Sequence, residues 1–86
     1  MKVAVIYRSA SEHGRPVTEF LRDFERRTGK KLEEIDPDSI RGANFCAVYD
    51  VVEYPTVIVT TDDGQLVNMW RGVPLPLIDE VSYYVQ

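Results

Sequence analysis

The sequence predicts an α/β fold: a four-stranded mixed sheet with helices on both faces, its elements in the order βαβαββα. Three observations predict it. Lys2 to Tyr7 and Pro55 to Thr61 are apolar runs rich in β-branched residues, without the polar alternation of a half-exposed strand, so both read as central strands covered on two faces. Between them, Val17, Phe20, Leu21 and Phe24 fall on one helical stripe about 100° wide. Finally, Thr61-Asp62-Asp63-Gly64 is a hairpin signal that turns the chain back as an antiparallel strand.

Taken in order, the first strand ends at Arg8-Ser9-Ala10-Ser11. Ser11 is expected to cap a first helix over residues 12 to 28, with Pro16 in the first turn, where its missing N–H costs little, and Thr28-Gly29 as the stop. Lys31 to Asp36 places Leu32 and Ile35 among charges and reads as a short edge strand ended by Asp36-Pro37. Asp38 or Ser39 then caps a second helix that closes about Asp50, with Ile40, Ala43 and Ala47 on its packed face and Phe45 and Tyr49 nearby; Gly42 is expected to weaken it. A proline cannot donate a ladder hydrogen bond, so Pro55 opens the second central strand at its first position, where a cis Tyr54–Pro55 bond is expected. Gln65 to Arg71 returns as an edge strand that Gly72 ends. After Pro74 and Pro76, the residues Leu77, Ile78, Val81, Tyr84 and Val85 give a last amphipathic helix.

Composition bounds the function classes. Eighty-six residues make one small domain, 1–86, because splitting them would leave two pieces too small to bury a core without metal or disulfide help. With 44% apolar and 28% charged residues the chain has the balance of a folding domain rather than of a disordered one. A net charge of −4 argues against nucleic acid or an anionic membrane as a partner, since both are bound by clustered Lys and Arg. The one basic cluster, Arg26, Arg27, Lys30 and Lys31, reads as the solvated end of the first helix. No apolar run approaches the roughly 20 residues of a membrane span, and the N-terminal run is too short for a signal peptide. One cysteine cannot close an internal disulfide, so a cytoplasmic location is expected.

The second half of the chain resembles the thioredoxin and glutaredoxin superfamily. Tyr49, Val51, Pro55, Thr56, the aliphatic run Val57 to Val59, Asp63-Gly64 and Gly72 follow in order and spacing the family's tyrosine, aliphatic residue, cis-proline with threonine, buried strand, Asp-Gly turn and glycine before the last helix. The first half is similar to glutaredoxin, in which a small polar loop after the first strand leads into C-x-x-C. Laid on that pattern, this chain has Ser11-Glu12-His13-Gly14 in place of the cysteine motif, or, shifted by one residue, Glu12 and Arg15 at the two cysteine positions. Dithiol exchange needs an activated thiolate and a second thiol to resolve the mixed disulfide, and serine supplies neither. The resemblance therefore implies a thioredoxin-like domain without its redox dithiol, with no cofactor. In the glutathione transferase domain, which shares this fold, an acidic residue and a serine follow the proline hairpin; here Asn68-Met69 stand there.

Individual residues narrow the chemistry further. Cys46, three residues after Ala43 and three before Tyr49, reads as a small buried hydrophobe on or beside the packed face of the second helix; the alternative is a reactive monothiol, acting by glutathionylation or an intermolecular disulfide. Ser11, Glu12 and His13 are adjacent at a helix start, point in different directions and lack a third orienting group, so a hydrolytic site is not expected. A lone His supplies one ligand, and no metal site is expected. Trp70, Tyr54, Tyr83 and Tyr84 either finish the small core or form an interaction face. By resemblance, Ser11, Glu12, His13 and Gly14, the Glu53-Tyr54-Pro55 loop, and Gly72 and Val73 line one shallow groove that receives a protein or an extended peptide. Main-chain pairing beside a cis-proline needs no thiol, so the expected role is a protein-binding or structural module rather than an enzyme.

Overall fold

The computed structural model of the protein describes residues 1–85. Its elements are β1 (Lys2–Ile6), α1 (Gly14–Thr28), β2 (Glu33–Ile35), α2 (Ile40–Tyr49), β3 (Thr56–Thr60), β4 (Leu66–Arg71) and α3 (Ile78–Ser82). The four strands form one mixed sheet in the order β2-β1-β3-β4. β1 runs parallel to β2 and antiparallel to β3, and β3 pairs antiparallel with β4. The two apolar runs are the two central strands, as their composition requires.

Because side chains alternate along a strand, the β1–β3 pair feeds two separate cores. On one face Val3, Val5, Val57 and Val59 pack with Val17 and Phe24 of α1 and Val81 of α3. On the other, Ala4, Ile6 and Ile58 meet Ile35, Cys46 and Val51 under α2. The edges are more open. β2 presents Glu33 and Glu34, whereas β4 keeps Asn68, Met69 and Trp70 half-buried and exposes Leu66, Val67 and Arg71.

Local signals explain most helix ends. α1 stops where Gly29 takes the left-handed conformation (φ 73°) and returns its N–H to the Glu25 carbonyl at 2.8 Å, with Arg26 and Arg27 in the last turn beside the helix's negative end. Ser39 caps α2, its hydroxyl accepting from the Gly42 N–H at 2.9 Å. At the far end Asp50 adopts φ 56°, allowing Val51 to turn inward with its N–H on the Cys46 carbonyl. The Tyr54–Pro55 and Val73–Pro74 peptide bonds are both cis.

Three expectations are corrected. The first helix begins at Gly14, not at residue 12, and Ser11 does not cap it. Ser11 is used one turn earlier, where its N–H and hydroxyl both donate to the Arg8 carbonyl, at 3.1 and 2.6 Å. The packed face of α2 is not Ile40, Ala43 and Ala47, which are exposed. It is Gly42, Phe45, Cys46 and Tyr49, an equally regular stripe that brings the aromatic pair and the thiol onto the sheet. The last helix is shorter than its apolar pattern: α3 ends at Ser82, and two single-turn bonds, Tyr84 N–H to Val81 and Val85 N–H to Ser82, carry the chain on.

Gly42 has a role that its helix propensity hides. A Cβ there would overlap the Asp36 carbonyl, whose carbon lies 2.7 Å from that position. In an open helix, Gly→Ala gains up to about 1 kcal/mol. Here Gly42→Ala is expected to destabilise by about 1–3 kcal/mol, as overpacking against backbone does, with the same sign in urea and thermal unfolding. A neutral or stabilising result would mean that the β2–α2 connection yields freely.

Candidate functional site

The loops expected to wall a groove meet where β1 ends and β3 begins. Antiparallel pairing of Ile6 with Thr56 puts the loop after β1 beside the Glu53-Tyr54-Pro55 loop, although some 45 residues separate them in the chain. Parallel pairing of Ile6 with Ile35 brings the Asp36–Asp38 turn to the same end. The third wall is the Gly72-Val73 turn, tied to the proline loop by Gly72 N–H donating to the Pro55 carbonyl at 2.7 Å. Gly72 takes φ 71°, the left-handed region in which a side chain would be strained.

Arg8 joins these walls. Its guanidinium donates two hydrogen bonds to Asp38, from Nε at 2.9 Å and from Nη2 at 3.1 Å, and lies 4.7 Å from the centre of the Tyr54 ring. Its backbone N–H donates to His13 Nε2 at 3.1 Å. Bonding to Arg8 holds the Asp38 carboxyl below its ordinary range. Gly14 is buried under the same loop, and a Cβ there would collide with Ser9, whose carbonyl carbon would be 2.8 Å away. Between this loop and the end of β2 lies an open depression of about 270 Å³ lined by Arg8, Ser9, Ala10, Ser11, Asp36 and Asp38.

The sequence-expected site residues thus fall into two groups. His13, Gly14, Tyr54, Pro55 and Gly72 are connected, directly or through Arg8. Ser11 is spent on its own turn, Glu12 is exposed, and Val73 is 67% exposed. Cys46 is buried in the α2 core, and Tyr54 packs against the same cluster. Burial first, then the Cys46 thiol, pushes Tyr54 above its ordinary pKa. Arg8 and Asp38 are the residues that sequence reasoning missed. A basic residue ending β1 and an acidic one following β2 become partners only once the two strands are known to be parallel and in this register. Among the described residues no three His, Cys, Asp or Glu side chains come together as a metal site, and no helix is long and apolar enough to cross a membrane.

A search of solved structures places this architecture. Thioredoxin 1 from the thermophilic eubacterium Thermosipho africanus TCF52B superposes with a TM-score of 0.66, covering 99% of this chain and 90% of that one at 18% identity. This chain has a thioredoxin-like fold. No protein-family model matches it, and a search of curated proteins found no match. Within the thioredoxin-like frame, the loop entering α1 reads Ser11-Glu12-His13-Gly14, and the protein's single cysteine, Cys46, lies on α2 instead.

At the same end of the sheet, Tyr7 is 7% exposed and donates its hydroxyl proton to Glu34 Oε1 at 2.6 Å, tying β1 to β2 just beneath the groove. Burial, then the Glu34 hydrogen bond and charge, push Tyr7 up to about 12 from an ordinary 10.0. A raised folded-state pKa contributes stability that is present below about pH 10 and is lost as pH rises through about 12. Tyrosinate absorbance, assigned with Tyr7→Phe, is expected to show Tyr7 ionising at a pH of about 12. Glu34→Gln should bring the Tyr7 midpoint down. A Tyr7 midpoint near 10 in the folded wild type would contradict the burial and pairing described.

Proposed function

We propose that this chain is a thioredoxin-fold module that binds an extended peptide or protein segment in the groove between the Arg8–Gly14 loop, the Glu53-Tyr54-Pro55 loop and the Gly72-Val73 turn, without dithiol chemistry. The observation that carries this reading is the main chain of Tyr54. Its N–H and C=O make no backbone hydrogen bond among the described residues, while Pro55 and Thr56 on one side are tied to β4 and its turn. A donor and an acceptor on one exposed loop residue are what an added strand pairs with. Val52 and Val73, 73% and 67% exposed, flank the loop and offer apolar contact. Tyr54, braced by Arg8, is a large ring with a polar tip, a residue type favoured as an interface anchor.

The expected test is panning a library of random short peptides against the wild type and against Tyr54→Ala/Val73→Asp. Peptides enriched on the wild type should bind the double variant at least about tenfold more weakly, a loss of roughly 1.4 kcal/mol. A folded double variant that retains every peptide would remove the groove as the binding face.

A second reading, a thiol regulator acting through Cys46, is favoured by one observation: Tyr54 packs against the cluster that contains the thiol. Against it stands burial, because reactive cysteines need access as well as thiolate character. Incubation with oxidised glutathione followed by native mass spectrometry is expected to leave the wild type unmodified and to label it only on unfolding. Rapid glutathionylation of folded protein would favour the thiol reading instead. A net charge of −4 supports a protein rather than a nucleic-acid partner, and a lone cysteine fits a reducing compartment such as the cytoplasm.

A further inference from the structure

We propose that Glu53 makes the groove selective for a basic segment, an extended peptide carrying Lys or Arg beside the residue that pairs with Tyr54. This rests on the groove reading above and adds the chemistry of the partner.

The argument starts from where the carboxylate lies. Glu53 Oε2 is 3.1 Å from the position a Cβ on Gly72 would occupy, so the side chain reaches from the proline loop across to the Gly72-Val73 turn, over the space that Gly72 leaves open. It is therefore a charge suspended between two walls of the groove, adjacent in sequence to the main-chain donor and acceptor of Tyr54. Among the described residues the Glu53 carboxylate enters no ion pair; the pairs formed involve Asp62, Asp38, Glu19, Asp23, Asp79 and Glu33. Arg71, the cation preceding Gly72, is in none of them either, so Glu53 is not held by its nearest basic neighbour in the chain.

The opposite end of the groove offers a partner's carboxylate little. Arg8 is its cation, and Asp38 already takes two of its N–H donors, with Asp36 in the same depression. An acidic segment would meet a neutralised arginine at one end and an unpaired carboxylate at the other. A basic segment would meet the unpaired carboxylate alone. A strand laid against Tyr54 places its side chains alternately on its two faces, and an opposite charge across from Glu53 adds to pairing while a like charge subtracts. Lys and Arg reach Glu53 on long stems that can lie along Val73.

The probes are three synthetic peptide pools, identical in an alternating Val and Thr background and differing at one central position, which is Lys, Gln or Glu. Binding is read by titration into nitrogen-15-labelled protein, following the amide resonances of Tyr54 and Gly72. Affinity should rank Lys above Gln above Glu, with a Lys-to-Glu ratio of about tenfold at low salt, from one attraction gained and one repulsion avoided. The ratio should fall below about twofold in E53Q, which stays folded because the side chain is exposed and unpaired, and should shrink in strong salt. Equal binding of all three pools at these amides, or a ratio unchanged in E53Q, would leave the groove standing and overturn the selectivity. Absence of any shift at Tyr54 and Gly72 with all three pools would overturn the groove itself, and the selectivity with it.

Discussion

The antiparallel pairing of β1 with β3 is the constraint on which the rest of this molecule depends. Five residue pairs, from Lys2–Thr60 to Ile6–Thr56, hold the two strands in one register. A slip of one residue would exchange the side chains of the two cores, sending Val3 and Val5 toward α2 and Ala4 and Ile6 toward α1. The two faces are not interchangeable. The α1 and α3 face is built from valines against Phe24, fully buried and the largest such side chain, whereas the α2 face contains Ala4 opposite Ile58 and accommodates Cys46. Overpacking one face and hollowing the other would each cost on the order of kilocalories per side chain, so register is specified from both sides at once. The same register decides where a groove can form. With Ile6 opposite Thr56, the chain leaving β1 and the chain entering β3 must share one end of the sheet.

How much of this was legible in the sequence follows from the kind of interaction involved. Central strands declare themselves because burial on both faces removes polar alternation, and Lys2–Ile6 and Thr56–Thr60 carry that pattern plainly. The Gly29 stop and the Ser39 cap were also readable, since each is a local contact within four residues. Failures fall where local patterns compete. Ser11 is a good cap by residue type, yet a turn back to Arg8 takes its hydroxyl, and the same loop is closed by the approach of Gly14 to the Ser9 backbone. On α2 two stripes were available, and the one carrying Ile40 lost to the one carrying Gly42. Only glycine admits the Asp36 carbonyl, so the approach of a loop, rather than hydrophobicity, selected the buried face.

The site divides along the same line. Tyr54, Pro55 and Gly72 were marked out as site residues by the family resemblance, which matches the strand-opening proline and the glycine after the last strand. The residues that organise them were not. Arg8 contributes its carbonyl to Ser11, its amide to His13, its guanidinium to Asp38 and its cationic plane to Tyr54, and the last two of these are consequences of tertiary position. In sequence it is an ordinary basic residue ending a strand.

That arrangement bears on what a thioredoxin-like fold retains when its cysteine motif is replaced. Dithiol chemistry requires two sulfurs at the start of α1, and no amount of scaffold substitutes for them. The groove has a different origin. What the proposed groove would rest on is a strand-opening proline tied to Gly72, the unpaired main chain of Tyr54 and the β1–β3 pair. None of these contacts involves a thiol. Chemistry at the helix start and shape at the strand ends are therefore separable properties of the fold. In this chain Arg8 and His13 tie the loop region together with hydrogen bonds, and a loop held in this way would lower the ordering cost of the binding proposed above.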